Sequence, residues 1–153
     1  MRSRNAAGES IMSESYFATS RDAEKAFYDA FQGAELDDMM NIWSAEDSII
    51  CIHPMGSRLE GRDAVEQSWR QIFSGGAPMR FELTEVSYTQ DGNLAVHCVY
   101  ENIDHGSQLT QRSLVLATNV YRSTERGWHM VVHHASPTIS MQTADKEPHS
   151  TVH

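Results

Sequence analysis

The chain has 153 residues, a formal net charge of −9 and an apolar fraction of 40%. This length suits one domain with one hydrophobic core, and the acidic balance disfavours binding to nucleic acid or to an anionic membrane. No apolar run approaches the ~18 residues that a membrane-spanning helix needs, and no apolar segment follows the first basic residues, so we expect no signal peptide and a cytoplasmic protein.

The two ends of the chain differ in composition from its middle. Residues 1–19 and 139–153 are polar and carry no sustained apolar period, which is typical of mobile tails. We therefore predict a single folded domain at residues 20–138 between two flexible tails.

The first part of this domain shows the spacing of apolar residues that is typical of helices. One predicted helix follows Ser20, which suits an N-cap, and ends near Gly33, with Phe27 on its apolar stripe. Two further helices are predicted at 35–44 and 61–73.

Strand signals dominate the rest of the domain. A short β-branched run at 48–54 separates the second and third helices. Four strand-like segments then follow at 79–89, 93–103, 110–122 and 127–138, joined by turn-like sequences. Short links predict an antiparallel meander, and helices followed by strands predict an α+β domain.

The last two strands carry apolar side chains on both faces. Leu116 and Val132 alternate with Val115 and Val131, whereas a sheet with one face in water would alternate more clearly between apolar and polar residues. We therefore expect both faces to be covered, one by the helices and the other by a second copy of the chain in a homodimer.

The two cysteines, Cys51 and Cys98, each lie within a strand-like apolar segment, and no C-x-x-C pattern is present. We predict two buried free thiols in a reducing compartment.

Several runs of the sequence resemble SnoaL-like members of the nuclear transport factor 2-like superfamily. The order of the elements and four runs carry the resemblance: IICIHPMG, LEGRDAVEQSWRQIF, VYENI and ATNVYRSTERGWHMVVHHASP. It extends over residues 20–138 and implies three helices packed in a strongly curved, mostly antiparallel sheet, with a pocket inside this cone. The superfamily contains several kinds of enzyme and also association domains, so the fold alone fixes no chemistry.

The resemblance also assigns the faces of the strands. It places these side chains toward the pocket: His97, Val99, Glu101, Val115, Ala117, Asn119, Val131 and His133. It places these toward a partner or the outside: Leu116, Trp128, Met130, Val132 and His134.

His53 is the first candidate for chemistry. It stands before Pro54, where the related ketosteroid isomerase has its proton-shuttling acid, and an imidazole is a competent base near neutral pH. The alternative is a histidine that only bonds backbone at the end of a strand. Phe27 and Asn119 stand where that isomerase has a tyrosine and an aspartate, and we expect Tyr28 to turn away by one helical step, so steroid isomerase activity is not expected.

Three further polar residues are expected to converge inside the cone. Glu101, Asn119 and His133, with His97 nearby, are candidates for acid–base chemistry, or alternatively for a buried polar network that fixes the core. His133 and His134 point to opposite faces of a strand, so no metal site is predicted.

We take His53, Glu101, Asn119 and His133 as candidate catalytic residues. The candidate ligand-binding residues are Trp43, Trp69, His97, Val99, Val115 and Ala117, although the helical spacing of the two tryptophans also fits the core. We expect a domain that binds a small apolar or carbonyl-bearing molecule and acts without a cofactor as a lyase, isomerase or hydrolase, with His53 as acid or base. The alternative is a non-catalytic module for ligand sensing or oligomerisation.

Overall fold

Three helices precede the long strands, as the sequence predicts. The computed structural model describes residues 15–45 and 48–139, and all the helices and strands named below lie within these ranges. The helices are α1 (Ser20–Gly33), α2 (Leu36–Ile42) and α3 (Arg62–Ser74). The strands are β1 (Ile50–Ile52), β2 (Leu59–Glu60), β3 (Arg80–Asp91), β4 (Leu94–His105), β5 (Gln111–Thr124) and β6 (Gly127–Pro137). Across this described part, no helix is both long enough and apolar enough to cross a membrane.

The six strands form one sheet in the order β2-β1-β6-β5-β4-β3. β1 pairs with β6 in parallel, and the other four neighbouring pairs are antiparallel. The predicted α+β fold with a mostly antiparallel sheet is therefore confirmed. β2 was not predicted because its two residues are too few to show a period.

The start of α1 differs from the prediction by one residue. Thr19 is the N-cap, and its Oγ1 accepts a hydrogen bond of 3.0 Å from the backbone nitrogen of Asp22. Ser20 is instead the first helical residue, which leaves its hydroxyl available to bond elsewhere. At the other end the helix stops at Gly33, where the sequence predicts its end, and Ala34 follows in the left-handed conformation with φ 55°.

The helices cover one face of the sheet, and two bulges add to the curvature of that sheet. The pairing of β3 with β4 shifts register between Thr84 and Ser87, and the pairing of β5 with β6 shifts next to Val120. The core joins helix residues to strand residues: Ala23, Phe27, Ala30, Met39, Ile42, Val65 and Trp69 with Val99, Ala117, Tyr121, Met130 and Ala135.

The strand faces of β4 and β5 follow the prediction. Leu116, on the opposite face, is 37% exposed. The side chains of these two strands that were assigned to the concave face are all buried: His97, Val99, Glu101, Val115, Ala117 and Asn119.

In β6 the predicted face is wrong for Met130 and Trp128. Asn119 pairs with His133 while Tyr121 pairs with Met130, so β6 has one residue more than β5 between these pairs. An extra residue reverses the alternation of side chains beyond it. Met130 therefore shares the concave face with Tyr121 and is fully buried, and Trp128 belongs to the same core.

Both cysteines are free thiols, but only Cys51 is buried. The prediction is wrong for Cys98 because its neighbours His97 and Val99 face the core, so alternation turns Cys98 to the convex face. Its Sγ lies 3.4 Å from Thr118 Oγ1 there.

Residues 15–19, assigned by sequence to the N-terminal tail, contact the domain. The carbonyl oxygen of Phe17 accepts a hydrogen bond of 2.9 Å from the backbone nitrogen of Trp128. The rest of the two predicted tails, 1–14 and 140–153, lies outside the described residues.

Candidate functional site

Four polar side chains form a continuous buried chain on the concave face. Tyr28 Oη donates to Glu101 Oε2 at 2.5 Å, Asn119 Nδ2 donates to Tyr28 Oη at 3.0 Å, and His133 Nδ1 lies 2.6 Å from Asn119 Oδ1. The side chains come from α1, β4, β5 and β6, and none is more than 6% exposed. We call these four residues the polar chain. The structure thus joins the predicted Glu101, Asn119 and His133 through Tyr28, a residue that was expected to point elsewhere.

The prediction that Tyr28 turns away from the interior is wrong. Phe27 and Tyr28 are both buried, and their rings pack edge to face with centroids 4.8 Å apart. Because α1 lies across the curved sheet, two successive side chains both reach the concave face. Phe27 contacts the ring of His133, whereas Tyr28 reaches Glu101 on β4.

The direction of each hydrogen bond defines the protonation of His133. The Asn119 amide nitrogen is used toward Tyr28, so the amide oxygen faces His133 and accepts from Nδ1–H. Burial, with His53 and His134 nearby, lowers the pKa of the His133 imidazole to about 3, so the ring is neutral near pH 7. A neutral ring with its proton on Nδ1 leaves a lone pair on Nε2.

At the other end of the polar chain, burial raises the pKa of the Glu101 carboxyl to about 7, and the hydrogen bond from Tyr28 offsets part of that rise. Burial and the adjacent Glu101 raise the pKa of the Tyr28 phenol well above its ordinary value. A carboxyl that titrates near neutrality in the interior is suited to proton transfer.

His53 lies at the edge of the interior, after β1. Ser68 Oγ donates to the carbonyl of Val65 at 2.8 Å, so it accepts from His53 Nε2–H, 3.0 Å away. His53 Nδ1 is therefore the basic nitrogen, and within residues 15–45 and 48–139 it makes no hydrogen bond. Burial lowers the pKa of this imidazole. The ring is half-buried and packs edge-on against Trp69, with centroids 4.8 Å apart.

The His53 and His133 rings are 6.3 Å apart between centroids. The His133 ring is neutral near pH 7, and burial favours the neutral form of His53 by lowering its pKa. Each neutral ring holds a nitrogen lone pair. The arrangement can accept hydrogen bonds or protons, which is the chemistry predicted for His53.

The apolar candidates surround these polar groups. Val99, Val115 and Ala117 are buried on β4 and β5, and Trp69 is fully buried in α3. Trp69 lies at the centre of an aromatic cluster that also contains Phe27, Phe31, Phe73, His53 and His133.

His97 faces the concave side as predicted but belongs to a second cluster, away from Glu101. Its Nε2 lies 2.9 Å from Ser20 Oγ, and its Nδ1 lies 3.2 Å from Glu24 Oε2. Tyr88 Oη donates to Glu24 Oε1 at 3.0 Å. With Ser20 6%, His97 1% and Glu24 5% exposed, this cluster ties the first turns of α1 to the sheet.

The residues that sequence reasoning missed share one line along α1. Ser20, Glu24 and Tyr28 are four residues apart, so they follow each other on one face of the helix. All three are buried. A polar stripe at helical spacing beside an apolar one was the signal that could have found them.

Trp43 lies apart from the polar chain. It forms a bridge with Met130 and lines a cavity of about 390 Å³ together with Arg62 and His129. A second cavity of about 310 Å³ lies between α1 and α2, next to Phe17. Neither cavity includes the polar chain.

In the part of the chain that the structure describes, no three His, Cys, Asp or Glu side chains converge closely enough to hold a metal ion. His134 is exposed on the convex face, whereas His133 is buried on the concave face. The two side chains thus point to opposite faces of β6, as predicted.

Comparison with known families agrees with this arrangement of helices and strands. Residues 21–140 match the family of SnoaL-like domains. The chain belongs to this family. Membership confirms the predicted branch of the nuclear transport factor 2-like superfamily, and with it the cone-shaped fold.

Relatives of this SnoaL-like domain include two solved structures and one curated protein. A candidate calcium/calmodulin-dependent protein kinase type II association domain from Thiobacillus denitrificans is 40% identical, with a TM-score of 0.77, over 82% of this chain and 99% of that one. A candidate dehydratase of the NTF2-like family from Streptomyces avermitilis is 32% identical, with a TM-score of 0.69, over 76% of this chain and 91% of that one.

The curated relative is the F-box protein SKIP8 of Arabidopsis thaliana, 29% identical over 126 residues, which are 79% of this chain. The chain spans about half the length of that relative, 52%.

Proposed function

We propose that this SnoaL-like domain binds a small, mostly apolar molecule beside His53 and carries out cofactor-independent acid–base chemistry on it, as a lyase, isomerase or hydrolase. His53 Nδ1 is the proton acceptor, and the polar chain orients the polar group of the substrate through His133. The observation that carries the proposal is the buried polar chain itself, which ends in a carboxyl with a pKa of about 7.

The energetic cost of the polar chain supports a functional role. Burying polar groups is unfavourable unless every partner is supplied, and an apolar core would avoid that requirement. Here Glu101 is 2% exposed and still carries a titratable group. Apolar side chains at these positions would pack the cone without a buried titratable group.

A ligand would enter on the His53 side of the cone. His53 is half-buried, as are Ile72 and Phe73 on the neighbouring face of α3. The polar chain behind them is closed to solvent, so a ligand must displace the half-buried side chains to reach His133. The match to a candidate dehydratase at 32% identity is consistent with chemistry of this kind.

The test begins with native mass spectrometry of freshly purified protein, to detect a retained small molecule. Cyclohexanol and cyclohexanone serve as a matched probe pair in ¹H–¹⁵N NMR titrations, since they share a ring and differ in hydrogen-bonding character. Shifts centred on His53, Ile72 and Phe73 are expected.

Turnover of an identified ligand is then compared in wild type and His53→Gln. His105→Gln is the matched control, because His105 is also half-buried and its Nε2 lies 2.8 Å from a serine hydroxyl, Ser113 Oγ. Turnover that survives His53→Gln unchanged would contradict the role of His53.

A second candidate function is a non-catalytic module for ligand sensing or oligomerisation. Two observations favour it: Trp69 and His133 are both closed to solvent, and a relative at 40% identity is a candidate association domain. A molecule that is retained but never consumed supports sensing. A protein that assembles and binds neither probe supports a scaffold.

We also propose that two copies associate through the convex face of the sheet. Leu94 and Leu116 are 43% and 37% exposed, and Cys98 is exposed on the same face. A second copy would cover this apolar surface by pairing identical patches. Light scattering coupled to size exclusion should give a dimer mass, which Leu116→Glu should lower to that of a monomer. Met55→Glu is the control, because Met55 is 89% exposed on a loop, and an unchanged mass in Leu116→Glu would count against this interface.

A further inference from the structure

We propose that Glu101 determines the hydrogen-bonding character of His133: when Glu101 takes up a proton, the direction of the whole polar chain reverses and the single proton of His133 moves from Nδ1 to Nε2. Glu101 is then a specificity-determining residue that acts through Tyr28 and Asn119. What this means for a ligand rests on the proposed function, whereas the reversal is a property of the protein alone.

The ionised state is the one that the hydrogen bonds describe. The Tyr28 hydroxyl proton points to Glu101 Oε2, the Asn119 amide nitrogen points to Tyr28 Oη, and the Nδ1 proton of His133 points to Asn119 Oδ1. Tyr28, Asn119 and His133 thus each donate to the next member of the polar chain. His133 Nε2 remains as a lone pair.

Protonation of Glu101 changes the balance of donors and acceptors. The new proton on Oε2 uses Tyr28 Oη as its acceptor, so the Tyr28 hydroxyl proton needs a different acceptor. Asn119 supplies one if its amide rotates by half a turn, since the amide has a donor and an acceptor at opposite ends. The amide nitrogen then donates to His133 Nδ1, which must be unprotonated, so the ring proton resides on Nε2.

The proton count is simple. One proton is taken up from solvent, at Glu101. His133 keeps one proton throughout, and the proton lost at Nδ1 and the proton gained at Nε2 both exchange with solvent. No charge develops on the imidazole.

The competing outcome is protonation on Glu101 Oε1 without reversal. Within the described ranges Oε1 makes no hydrogen bond, so a proton there would be a donor without a protein acceptor. Reversal moves the unpartnered donor from Glu101 to His133 Nε2, whose ring lies 6.3 Å from that of His53 between centroids. The reversed chain therefore places this donor on the His53 side, where a bound carbonyl can accept from it.

The surrounding titratable groups do not supply the same effect. Tyr121 on β5 and Tyr28 on α1 both have a phenol pKa raised well above the ordinary value, so they stay neutral. His53 beside His133 is the group that could interfere, together with the exposed His134 on the other face. His133 itself stays neutral near pH 7, so a change in its ring reports the tautomer and not ionisation.

The consequence for ligand specificity follows directly. With Glu101 ionised, His133 Nε2 accepts a hydrogen bond and suits a hydroxyl group. With Glu101 protonated, Nε2 donates and suits a carbonyl. One site can thus favour an alcohol at higher pH and a ketone at lower pH.

The experiment is a pH series of long-range ¹H–¹⁵N and carboxyl ¹³C NMR spectra of the ligand-free, ¹³C,¹⁵N-labelled wild type between about pH 5 and 9, which brackets the Glu101 titration. The two ring nitrogens of His133 are expected to exchange their protonated and unprotonated chemical shifts, with one midpoint shared by the ¹³C shift of the Glu101 carboxyl. A His133 ring that keeps one tautomer while Glu101 titrates would overturn the proposal.

Two variants identify the route of the effect. In Tyr28→Phe the polar chain is cut, so the Glu101 carboxyl should still titrate while the His133 tautomer no longer follows it. In His53→Gln the tautomer change of His133 should persist. If the tautomer change were lost in His53→Gln but persisted in Tyr28→Phe, the effect would belong to His53 and the proposal would be overturned. If Tyr28→Phe does not fold, the wild-type series still decides. Because no ligand is added, failure to find a substrate leaves this result unaffected.

Discussion

Replacing Glu101 by glutamine should make the protein more stable at alkaline pH, because the buried carboxylate destabilises the fold once it ionises. In the unfolded chain a glutamate ionises above its ordinary pKa of 4.5, whereas the folded protein holds the proton until about pH 7. The folded state therefore binds more protons across that window. The free energy of unfolding should fall as pH rises from about 4.5 to about 7 and then level off.

The size of the effect follows from the same two values. A pKa raised from 4.5 to about 7 corresponds to ~3 kcal/mol of stability present below pH 4.5 and absent above pH 7. A glutamine side chain cannot ionise, so this contribution disappears in Glu101→Gln. The His133 contribution has the opposite sign, since its depressed pKa makes the fold lose stability as pH falls below 6.5, but it is common to both proteins and cancels in their difference.

Urea unfolding followed by circular dichroism, at pH values from about 4 to 8.5, measures this difference. The unfolding free energy of Glu101→Gln relative to wild type should rise by ~3 kcal/mol across the series. Glu82→Gln is the matched control, since the Glu82 side chain is 67% exposed on β3 and should give a flat difference. A flat difference for Glu101→Gln as well would refute the reasoning, because Glu101 would then titrate alike in the folded and unfolded states.

Three further predictions concern other parts of the fold. Gly127→Ala should destabilise the protein by about 2 kcal/mol or more, because φ is +97° and the new Cβ would lie 2.9 Å from the backbone of Phe17. The control is Gly92→Ala, which has φ +62° and open space around the new Cβ and should cost only about 1 kcal/mol. Equal losses of the two variants in thermal or urea unfolding would argue against the contact between Gly127 and Phe17. In the Leu116→Glu variant, whose convex face should not be covered by a second copy, dithiobis(nitrobenzoate) should modify one cysteine in the folded protein and two in denaturant, since Cys98 is exposed while Cys51 is buried with a thiol pKa raised to about 12. Two rapidly reacting thiols in the folded variant would contradict that placement. Ser20→Ala should cost about 1–3 kcal/mol in urea unfolding, because it leaves a buried imidazole nitrogen without its partner, and a neutral result would show that the cluster around α1 does not hold the helix.

Much of the architecture was predictable because its signals are local. Helical spacing placed the three helices, and period-2 alternation placed the four long strands and showed which side chains of β4 and β5 share a face. Which of the two faces is concave came from the family resemblance. Capping was predicted one residue late, at Ser20 instead of Thr19, because serine and threonine both suit that position. The family resemblance supplied the curvature of the sheet, which no local pattern contains.

The errors arose where local patterns interact with packing. A bulge in β6 reverses the side-chain alternation, and no residue type marks its position, so Met130 was assigned to the wrong face. Cys98 was expected inside because its strand is apolar, although its face is the convex one.

The candidate site shows the same division most clearly. The family resemblance assigned Glu101, Asn119 and His133 to the concave face, and they were expected to be neighbours because side chains on one face of adjacent strands must lie close together. The place of Tyr28 among them depended on the angle at which α1 crosses the sheet, and the direction of the hydrogen bonds depended on that hydroxyl. These are relations between elements far apart in the chain, so packing alone established them.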